Sequence, residues 1–261
     1  MGFRKSESEY LTRSHEPFLY DETPIIDNKE KFKKLLKLSE EDNKVSFREH
    51  KLVNMDLSGC DLRDLDFWRA SFEKCNLTNT DLSRSVMDDV SFYDCQIRGM
   101  KMRDCNARGA SFRYHDMEGV DLSGANIYAS ILEDAINQDK IVTDERTKWF
   151  RMTCPEEGPF IAWKCCTDLR VVMMLVPAEA KRCMATQESG RVSKAKVLSI
   201  KSIDERESYE WAQSTVDPDF YYEVGKWVEP ANGFQENRWK DSSPGIHFFI
   251  DRQQCIDYQA K

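Results

Sequence analysis

The sequence predicts a stack of short β-type coils followed by a separate α+β domain. Three observations support this fold class. Every fifth residue from Phe47 to Leu132 is apolar, a second register two positions earlier holds mostly small or medium residues, and the period fails after Leu132. A period of five matches neither an α-helix nor a β-strand. The sequence therefore indicates an internally repetitive fold rather than an ordinary globular one.

The first register is too regular to arise by chance. Its eighteen positions run from 47 to 132 in steps of five, and all of them are apolar. At a background of 40% apolar residues, chance would give such a run on the order of once in ten million sequences. The repeat therefore covers the segment 46–135, with 1–45 before it and 136–261 after it as the other two predicted domains.

The repeat motifs carry a family resemblance. The stretches DLSGCDLRDLDFWRASFEKCNLTNTDLS and VDLSGANI resemble the pentapeptide-repeat family, whose consensus A(D/N)LXX has the large apolar residue at its centre. The resemblance implies a right-handed quadrilateral β-helix with one pentapeptide per side and twenty residues per turn. Residues 46–135 would then form about four to five coils, and with strands about 4.8 Å apart the stack would be roughly 20 Å tall.

A twenty-residue turn predicts which side chains stack. One column contains Leu52, Phe72, Phe92, Phe112 and Leu132, and another contains Leu57, Leu77, Ile97 and Met117. Burial of a large apolar side chain stabilises by about 1.5–3 kcal/mol. These columns are therefore expected to supply the main driving force for folding of the coil.

The cysteines of the repeat are expected to be packing residues. Four of the nine cysteines fall in the inward register of small residues: Cys60, Cys75, Cys95 and Cys105. One column places Cys75, Cys95 and His115 on successive rungs, and thiolates and imidazole are zinc ligands. Parallel inward side chains do not converge tetrahedrally, however, so no metal and no cofactor is expected.

Four arginines form a belt on the coil. Arg98, Arg103, Arg108 and Arg113 follow one another at a spacing of five, which places one guanidinium on each face of the fourth coil. One interpretation is that they pair with acidic side chains on neighbouring rungs. The other is a contact surface for an acidic partner or a phosphate.

One outward column carries aromatic residues and is the candidate face for a protein contact. Trp68, Asp88, Arg108 and Tyr128 fall in this column by register. Trp, Tyr and Arg are enriched among the residues that dominate binding energy at interfaces.

The segment before the repeat is predicted to be a charged arm followed by one helix. The helix begins after Asp27 or Asn28, which are suitable capping residues. Phe32, Leu35, Leu36 and Leu38 follow at mostly helical spacing. Because the terminal rung of a repeat stack needs a cover, this helix is expected to cap the first coil.

The last segment reads as an α+β domain. Strands are predicted in PFIAWKCC, LRVVMMLVP, AKVLSIK, FYYEVGKWVE and GIHFFIDR, and helical pieces in PAEAKRCMAT, ESYEWAQS and RQQCIDY. The motifs FIAWKC, LVPAEAKR and SPGIHFFIDRQQCIDY resemble an uncharacterised domain that follows pentapeptide repeats in phage and large-virus proteins. The resemblance implies a phage or viral context and no particular chemistry.

Four residues are the main candidates for chemistry in this domain: His247, Tyr221, Tyr222 and Cys183. Arg191, Lys194 and Glu223 are further polar candidates. A nucleophile pair of Cys183 and His247 would require the two side chains to lie within hydrogen-bond reach. A nucleotide-using transferase built from Tyr, His and Glu is a further alternative, with the coil as its scaffold. A histidine flanked by Ile246 and two phenylalanines is more typical of a structural residue, and no catalytic residue is expected.

Charge constrains the class of partner. The net charge is −8, and the segment 46–135 carries 11 basic and 16 acidic residues, which accounts for −5 of it. We therefore expect no direct nucleic-acid binding. The expected function is a non-catalytic protein-binding or inhibitory factor, of phage or viral origin, that engages a host protein complex. A homodimer is an open alternative for its assembly. A DNA mimic that inhibits or protects a type II topoisomerase is the alternative.

The sequence also bears on location. The start MGFRKSESEYLTRSHE lacks the apolar run of a signal peptide, and no window has the 18 or more apolar residues of a membrane span. A cytoplasmic protein without a membrane partner is therefore expected.

Overall fold

A computed structural model describes residues 23–42 and 46–259, with the side chains of 38–42 left out. Most of the predicted N-terminal arm, and the side chain of Leu38, therefore lie outside the described residues. No helix within the described ranges is long and apolar enough to cross a membrane.

The first part of the chain forms a coil with twenty residues per turn. Parallel bridges join Asp56 to Asn76 and Asn76 to Gln96. Four strands stack in parallel along one side: β1 (Ile25–Ile26), β2 (Lys51–Val53), β3 (Ser71–Glu73) and β4 (Ser91–Tyr93). The bridges continue past residue 135 as far as Asn126 with Lys148, where the spacing has grown to twenty-two residues. The coil therefore extends further than the repeat motif does.

The apolar residues at every fifth position form the interior of the coil. All eighteen central residues from Phe47 to Leu132 are buried, none more than 4% exposed. Phe72, Phe92 and Phe112 stack with ring centroids 5.5 and 5.6 Å apart. The predicted stacking columns are confirmed, and each coil buries its apolar side chains against the coils above and below it.

The corners of the coil explain the polar part of the motif. Every fifth residue from Glu49 to Asp134 has a positive φ, and twelve of these eighteen residues are Gly, Asn or Asp, the types that adopt this conformation most readily. At about half of the centres the preceding residue is an aspartate or asparagine, and its side chain can close the same turn, as when Asp66 Oδ1 accepts the Trp68 N–H at 2.9 Å. At Gly99 a Cβ would lie 2.2 Å from Asn79 Oδ1, so a larger residue there would require the Asn79 side chain to move.

Helix α1 (Lys29–Asp42) lies against the first coil. The Asn28 side chain accepts the backbone N–H of Glu30 at 2.8 Å, so Asn28 is the capping residue. The Phe32 ring contacts Phe47 with centroids 5.1 Å apart, and Ile26 is buried in the same core.

The C-terminal part contains a seven-stranded sheet and a separate two-stranded ribbon. The sheet order is β12, β9, β6, β5, β13, β8, β7, with antiparallel pairing throughout. The strands are β5 (Phe160–Cys165), β6 (Val171–Val176), β7 (Arg182–Met184), β8 (Ser189–Val192), β9 (Ala195–Lys201), β12 (Trp227–Val228) and β13 (Ile246–Phe249). The ribbon is β10 (Trp211–Gln213) with β11 (Tyr221–Glu223), and helix α2 (Arg252–Gln259) ends the described chain.

Two predicted helical pieces are strands instead. PAEAKRCMAT contains β7, which pairs with β8, and ESYEWAQS contains β10, which pairs with β11. Short isolated helices are marginal, so pairing with a neighbouring strand overrides a weak helical pattern. The predicted strand FYYEVGKWVE is interrupted at Gly225, which has a φ of 80°, and forms β11 and β12.

The C-terminal domain packs directly on the last coil. The Ala129 N–H donates to the Thr186 carbonyl at 2.9 Å, and the Thr186 hydroxyl donates to the Ser130 carbonyl at 2.7 Å. Trp239 packs against Phe150 at 5.5 Å and against the coil core. Thr186 thus supplies the hydrogen-bond partners that a further coil would otherwise provide.

Candidate functional site

Three of the four belt arginines are ion-paired within the coil, whereas the Arg108 guanidinium lies 5.5 Å from the centroid of the Tyr128 ring. Arg98 contacts Glu118, Arg103 Nε lies 2.6 Å from Asp121, and the largely buried Arg113 contacts Glu133. Hydrogen bonding and charge attraction from Asp121 raise the pKa of Arg103. This arrangement favours the first interpretation of the belt, in which the arginines neutralise acids one coil away. A partner contact through these arginines stays a prediction.

The column with Trp68 and Tyr128 does not form one continuous free face. The guanidinium groups of Arg48 and Arg69 lie 4.5 and 5.0 Å from the Trp68 ring. The Tyr128 hydroxyl donates to Glu188 of the C-terminal domain at 2.8 Å, and burial together with Glu188 raises the pKa of Tyr128 to about 12. Tyr128 therefore belongs to the contact between the two parts of the chain.

The cysteine and histidine column is a packing column. The Cys75 N–H donates to Cys95 Sγ at 3.4 Å, and His115 Nδ1 lies 2.7 Å from the Arg113 carbonyl. Burial lowers the pKa of His115. No group of His, Cys, Asp or Glu within residues 23–42 and 46–259 is arranged to hold a metal ion.

Cys183 and His247 do not form a nucleophile pair. The sheet register places Arg191 between them, opposite both Cys183 and His247, so the two residues are two strand spacings or about 10 Å apart. Cys183 Sγ lies 3.1 Å from Arg191 Nη2, and His247 Nε2 lies 3.0 Å from the Ser243 carbonyl. Burial raises the pKa of Cys183, which keeps the thiol protonated and unreactive.

Tyr221 and Tyr222 lie on opposite faces of β11 and cannot act together. Tyr222 is buried in the domain core, and this burial raises the pKa of its hydroxyl well above the ordinary value. Tyr221 is 46% exposed. Of the four candidates for chemistry, Tyr221 is therefore the most exposed, while His247 is of intermediate exposure.

Tyr221 lies in a shallow hollow on the outer face of the β10–β11 ribbon. The hollow has a volume of about 280 Å³ and is lined by Glu210, Trp211, Tyr221, Glu223 and Val224. The Trp211 and Tyr221 rings lie edge to face with centroids 5.7 Å apart. Both rings are 46% exposed. This hollow, which we call the ribbon hollow, combines two aromatic rings with two carboxylates.

The inner face of the β10–β11 ribbon packs on the core of the C-terminal domain. Ala212 and Tyr222 point inward and are buried, while the opposite faces of the same strands carry Trp211 and Tyr221. The Gln213 side-chain amide donates to the Pro218 carbonyl at 2.7 Å and to the Tyr221 hydroxyl at 3.1 Å, which orients the ring. The strand alternation thus fixes which aromatic ring is core and which is surface.

Sequence reasoning missed Trp211 and Glu210. ESYEWAQS was expected to be helical, so its tryptophan was not placed beside Tyr221. The alternation of side chains in WAQS and FYYE is the signal that could have revealed the hollow. In each segment one inward residue, Ala212 or Tyr222, is flanked by two residues that point to the other face. Pairing those two segments brings Trp211 opposite Glu223.

Family comparisons divide the chain in the same way. Residues 43–79 match pentapeptide repeats (8 copies), and residues 65–135 match a pentapeptide repeat region. Pentapeptide repeat proteins form right-handed quadrilateral β-helices, in agreement with the coil. Residues 150–255 match a family of unknown function (DUF5758), which brings no activity with it. No curated protein matches this chain.

Several solved structures resemble the repeat segment. HetL, a pentapeptide repeat protein involved in heterocyst differentiation regulation from the cyanobacterium Nostoc sp. strain PCC 7120, is 23% identical over 33% of this chain and 38% of its own, with a TM-score of 0.22. QnrB1, a plasmid-mediated fluoroquinolone resistance protein, is 24% identical over 32% and 43%, with a TM-score of 0.20. Rfr23 from the cyanobacterium Cyanothece 51142 is 18% identical over 44% and 97%, with a TM-score of 0.20. The chain thus spans less than half of HetL and QnrB1, and scores at this level carry no inference about function.

Proposed function

We propose that this chain is a non-catalytic protein-binding factor, with its contact surface at the ribbon hollow and with the coil as a rigid support. The observation that carries the proposal is the pair of half-exposed rings of Trp211 and Tyr221 on a firmly packed ribbon. Such rings bury a large apolar area on binding at a low entropic cost.

The surroundings of the other polar candidates support a binding role over catalysis. Cys183 is buried against Arg191, and Tyr222 is enclosed in the core. The hollow itself contains carboxylates and rings but no nucleophile next to a base. A transferase site would need such groups to converge on one pocket.

The finer parts of the expected function remain proposals. These are a host protein complex as partner, a phage or viral origin, a possible homodimer and a cytoplasmic location. The solved structures named above come from cyanobacteria and a bacterial plasmid and do not bear on the phage origin. We also propose that α1 is the N-terminal cap of the coil, supported by the contact of Phe32 with Phe47.

Imitation of duplex DNA is the weaker candidate. A DNA mimic presents regular uncompensated negative charge, whereas Asp61 contacts Arg63 and Asp64 contacts Arg84 on this coil. Excess purified protein is therefore expected to leave gyrase supercoiling unchanged, and inhibition of supercoiling would revive the mimic.

Affinity capture from host lysate tests the binding role. The double variant W211A/Y221A is compared with the wild-type chain and with W227A, which removes a tryptophan of similar exposure (48%) outside the hollow. We expect one partner set with the wild type and W227A, and its loss with the double variant. Identical partner sets for all three proteins, or none with the wild type, would contradict the proposal.

A further inference from the structure

We propose that the ribbon hollow binds an extended peptide segment of a partner protein, which adds as a strand to the outer edge of β11 and places a lysine or arginine side chain in the hollow. This inference rests on the proposed function and adds the chemistry of the bound segment.

The outer edge of β11 is open. The Glu210 carbonyl accepts the N–H of Val224, and the Phe220 carbonyl accepts the N–H of Ser214. Hydrogen-bonded and non-hydrogen-bonded pairs alternate along an antiparallel ribbon, so the pair of Gln213 and Tyr221 is a non-hydrogen-bonded one. The N–H and C=O of Tyr221 therefore point away from β10, and they have no hydrogen-bond partner among the described residues. Such an edge is a template for a further strand.

Two other strand edges of the domain are covered by side-chain donors. On the other side of the ribbon, the Trp211 carbonyl accepts from Arg170 at 2.8 Å and the Gln213 carbonyl accepts from Thr167 at 3.3 Å. At the β7 edge of the large sheet, Arg238 donates to the carbonyl of Met184 at 2.8 Å. An added strand would therefore find free main-chain groups at β11 and not at these two edges.

The hollow is suited to a cation. Glu210 and Glu223 are among its lining residues, both are exposed, and neither forms an ion pair with any residue in the described part of the chain. Its walls carry the rings of Trp211 and Tyr221. An aromatic ring attracts a cation by its quadrupole, and carboxylates attract it by charge.

A nearby cation of the protein itself does not occupy this site. Arg170 stacks on Trp211 at 4.6 Å and on Tyr209 at 4.4 Å, and 18% of its side chain is exposed. It is held by the Trp211 carbonyl and lies 3.9 Å from Asp168. Arg170 does not line the hollow, so the two carboxylates remain available.

Strand addition and charge recognition are complementary. Because side chains alternate along a strand, a segment paired with β11 directs every second side chain toward the face that carries Trp211 and Tyr221. A lysine or arginine at one such position reaches the hollow while the backbone pairs with Tyr221. The site therefore selects an extended conformation and one basic side chain together.

A peptide panel tests both parts with the full chain. Fluorescein-labelled nine-residue peptides of alternating Val and Thr carry a central Lys, Arg, norleucine or Glu, and binding is followed by fluorescence anisotropy. We expect the Lys and Arg peptides to bind at least tenfold more tightly than the norleucine and Glu peptides. N-methylation of the amides on one edge of the Lys peptide should abolish binding, and N-methylation on the opposite edge should not. Equal binding of all four peptides, binding of none, or insensitivity to N-methylation would overturn the proposal.

Charge-neutral variants provide the matched control. E210Q/E223Q should reduce the preference for Lys over norleucine at least fivefold. E157Q/E179Q removes two exposed carboxylates of the same domain that form no ion pair in the described part, and it should leave the preference unchanged. An equal loss in both double variants would show that net charge, rather than the hollow, selects the peptide, which overturns the proposal.

Two outcomes separate this inference from the proposed function. If W211A/Y221A loses its protein partner but the Lys peptide does not bind, the binding surface stands and the extended basic segment is wrong. If sedimentation shows that the chain self-associates and that E210Q/E223Q abolishes this association, the occupant is a second copy, and the inference of a separate partner is overturned.

Discussion

The eighteen corner residues of the coil share a left-handed backbone conformation. The side chain at each corner determines the conformational free energy that this backbone requires. Glycine, asparagine and aspartate occupy most corners, but Tyr114 has a φ of 64° and is 72% exposed. An aromatic residue in this conformation costs about 1 kcal/mol. Strain of this kind at an exposed aromatic residue makes Tyr114 a second surface position to test for binding.

Replacement of Tyr114 by asparagine should stabilise the coil. We expect Y114N to raise the free energy of unfolding by about 1 kcal/mol, because asparagine tolerates the left-handed region and Tyr114 loses little packing. Urea denaturation measures the change. Y93N, at a tyrosine that ends strand β4 without a positive φ, should give no gain. A gain of equal size in both variants would contradict the backbone explanation.

His115 should make the coil sensitive to acid. Burial lowers its pKa below the ordinary 6.5 in the folded protein, although Asp94 and the Arg113 carbonyl oppose the shift. The unfolded chain therefore binds more protons, and the stability due to neutral His115 is present above pH 6.5 and is lost as the pH falls. We expect the free energy of unfolding to fall between pH 7 and pH 5, and less steeply in H115C. Parallel slopes would assign the effect to other groups.

At the scale of the elements, the coil is a stack in which each turn contacts only its neighbours. The Phe72, Phe92 and Phe112 rings join three successive turns, with Phe92 in the middle. Stability in such a stack is close to a sum of turn and interface contributions. A defect at Phe92 therefore weakens two interfaces together.

Truncation of Phe92 should divide the stack. F92A is expected to cost about 3–5 kcal/mol, whereas F92L, which keeps most of the volume, should cost less than about 1.5 kcal/mol. Hydrogen exchange should show faster opening of β2 and β3 than of the turns beyond Phe112 in F92A. Uniform acceleration along the whole coil would mean that the turns unfold as one unit.

The elements differ in how far sequence alone could predict them. The coil was predictable because each pentapeptide repeats one local pattern, in which an apolar centre, a mostly small or medium inward residue and a left-handed corner recur along the chain. The β7 and β10 strands were not, because their pairing with β8 and β11 depends on distant segments. The ribbon hollow was hidden for the same reason, since Trp211 and Tyr221 meet only after β10 and β11 pair.

For the whole molecule, the coil and the C-terminal domain share a packed boundary. Trp239 packs on Phe150 and on the coil core, and Lys240 Nζ lies 3.1 Å from Asp134. Arg238 donates to the Phe150 carbonyl at 2.7 Å. These contacts extend the core of the coil into the segment that follows it.

Removal of Trp239 should uncouple the two parts. We expect W239A to lower stability by about 2 kcal/mol, less than for a fully buried tryptophan, and to separate one calorimetric transition into two. W227A removes an exposed tryptophan far along the sheet order and should keep the single transition. Two transitions in the wild-type protein would show that the boundary does not couple the parts.

The twenty-residue turn also determines the distance and the orientation between α1 and the C-terminal domain. Because neighbouring turns lie about 4.8 Å apart, each inserted full turn would increase the separation between α1 and the C-terminal domain by about that distance. An insertion of one full turn would keep the ribbon hollow on the same side of the coil, whereas an insertion of a single pentapeptide would rotate it by a quarter turn. The number of repeats therefore sets both the distance and the direction of the ribbon hollow relative to α1.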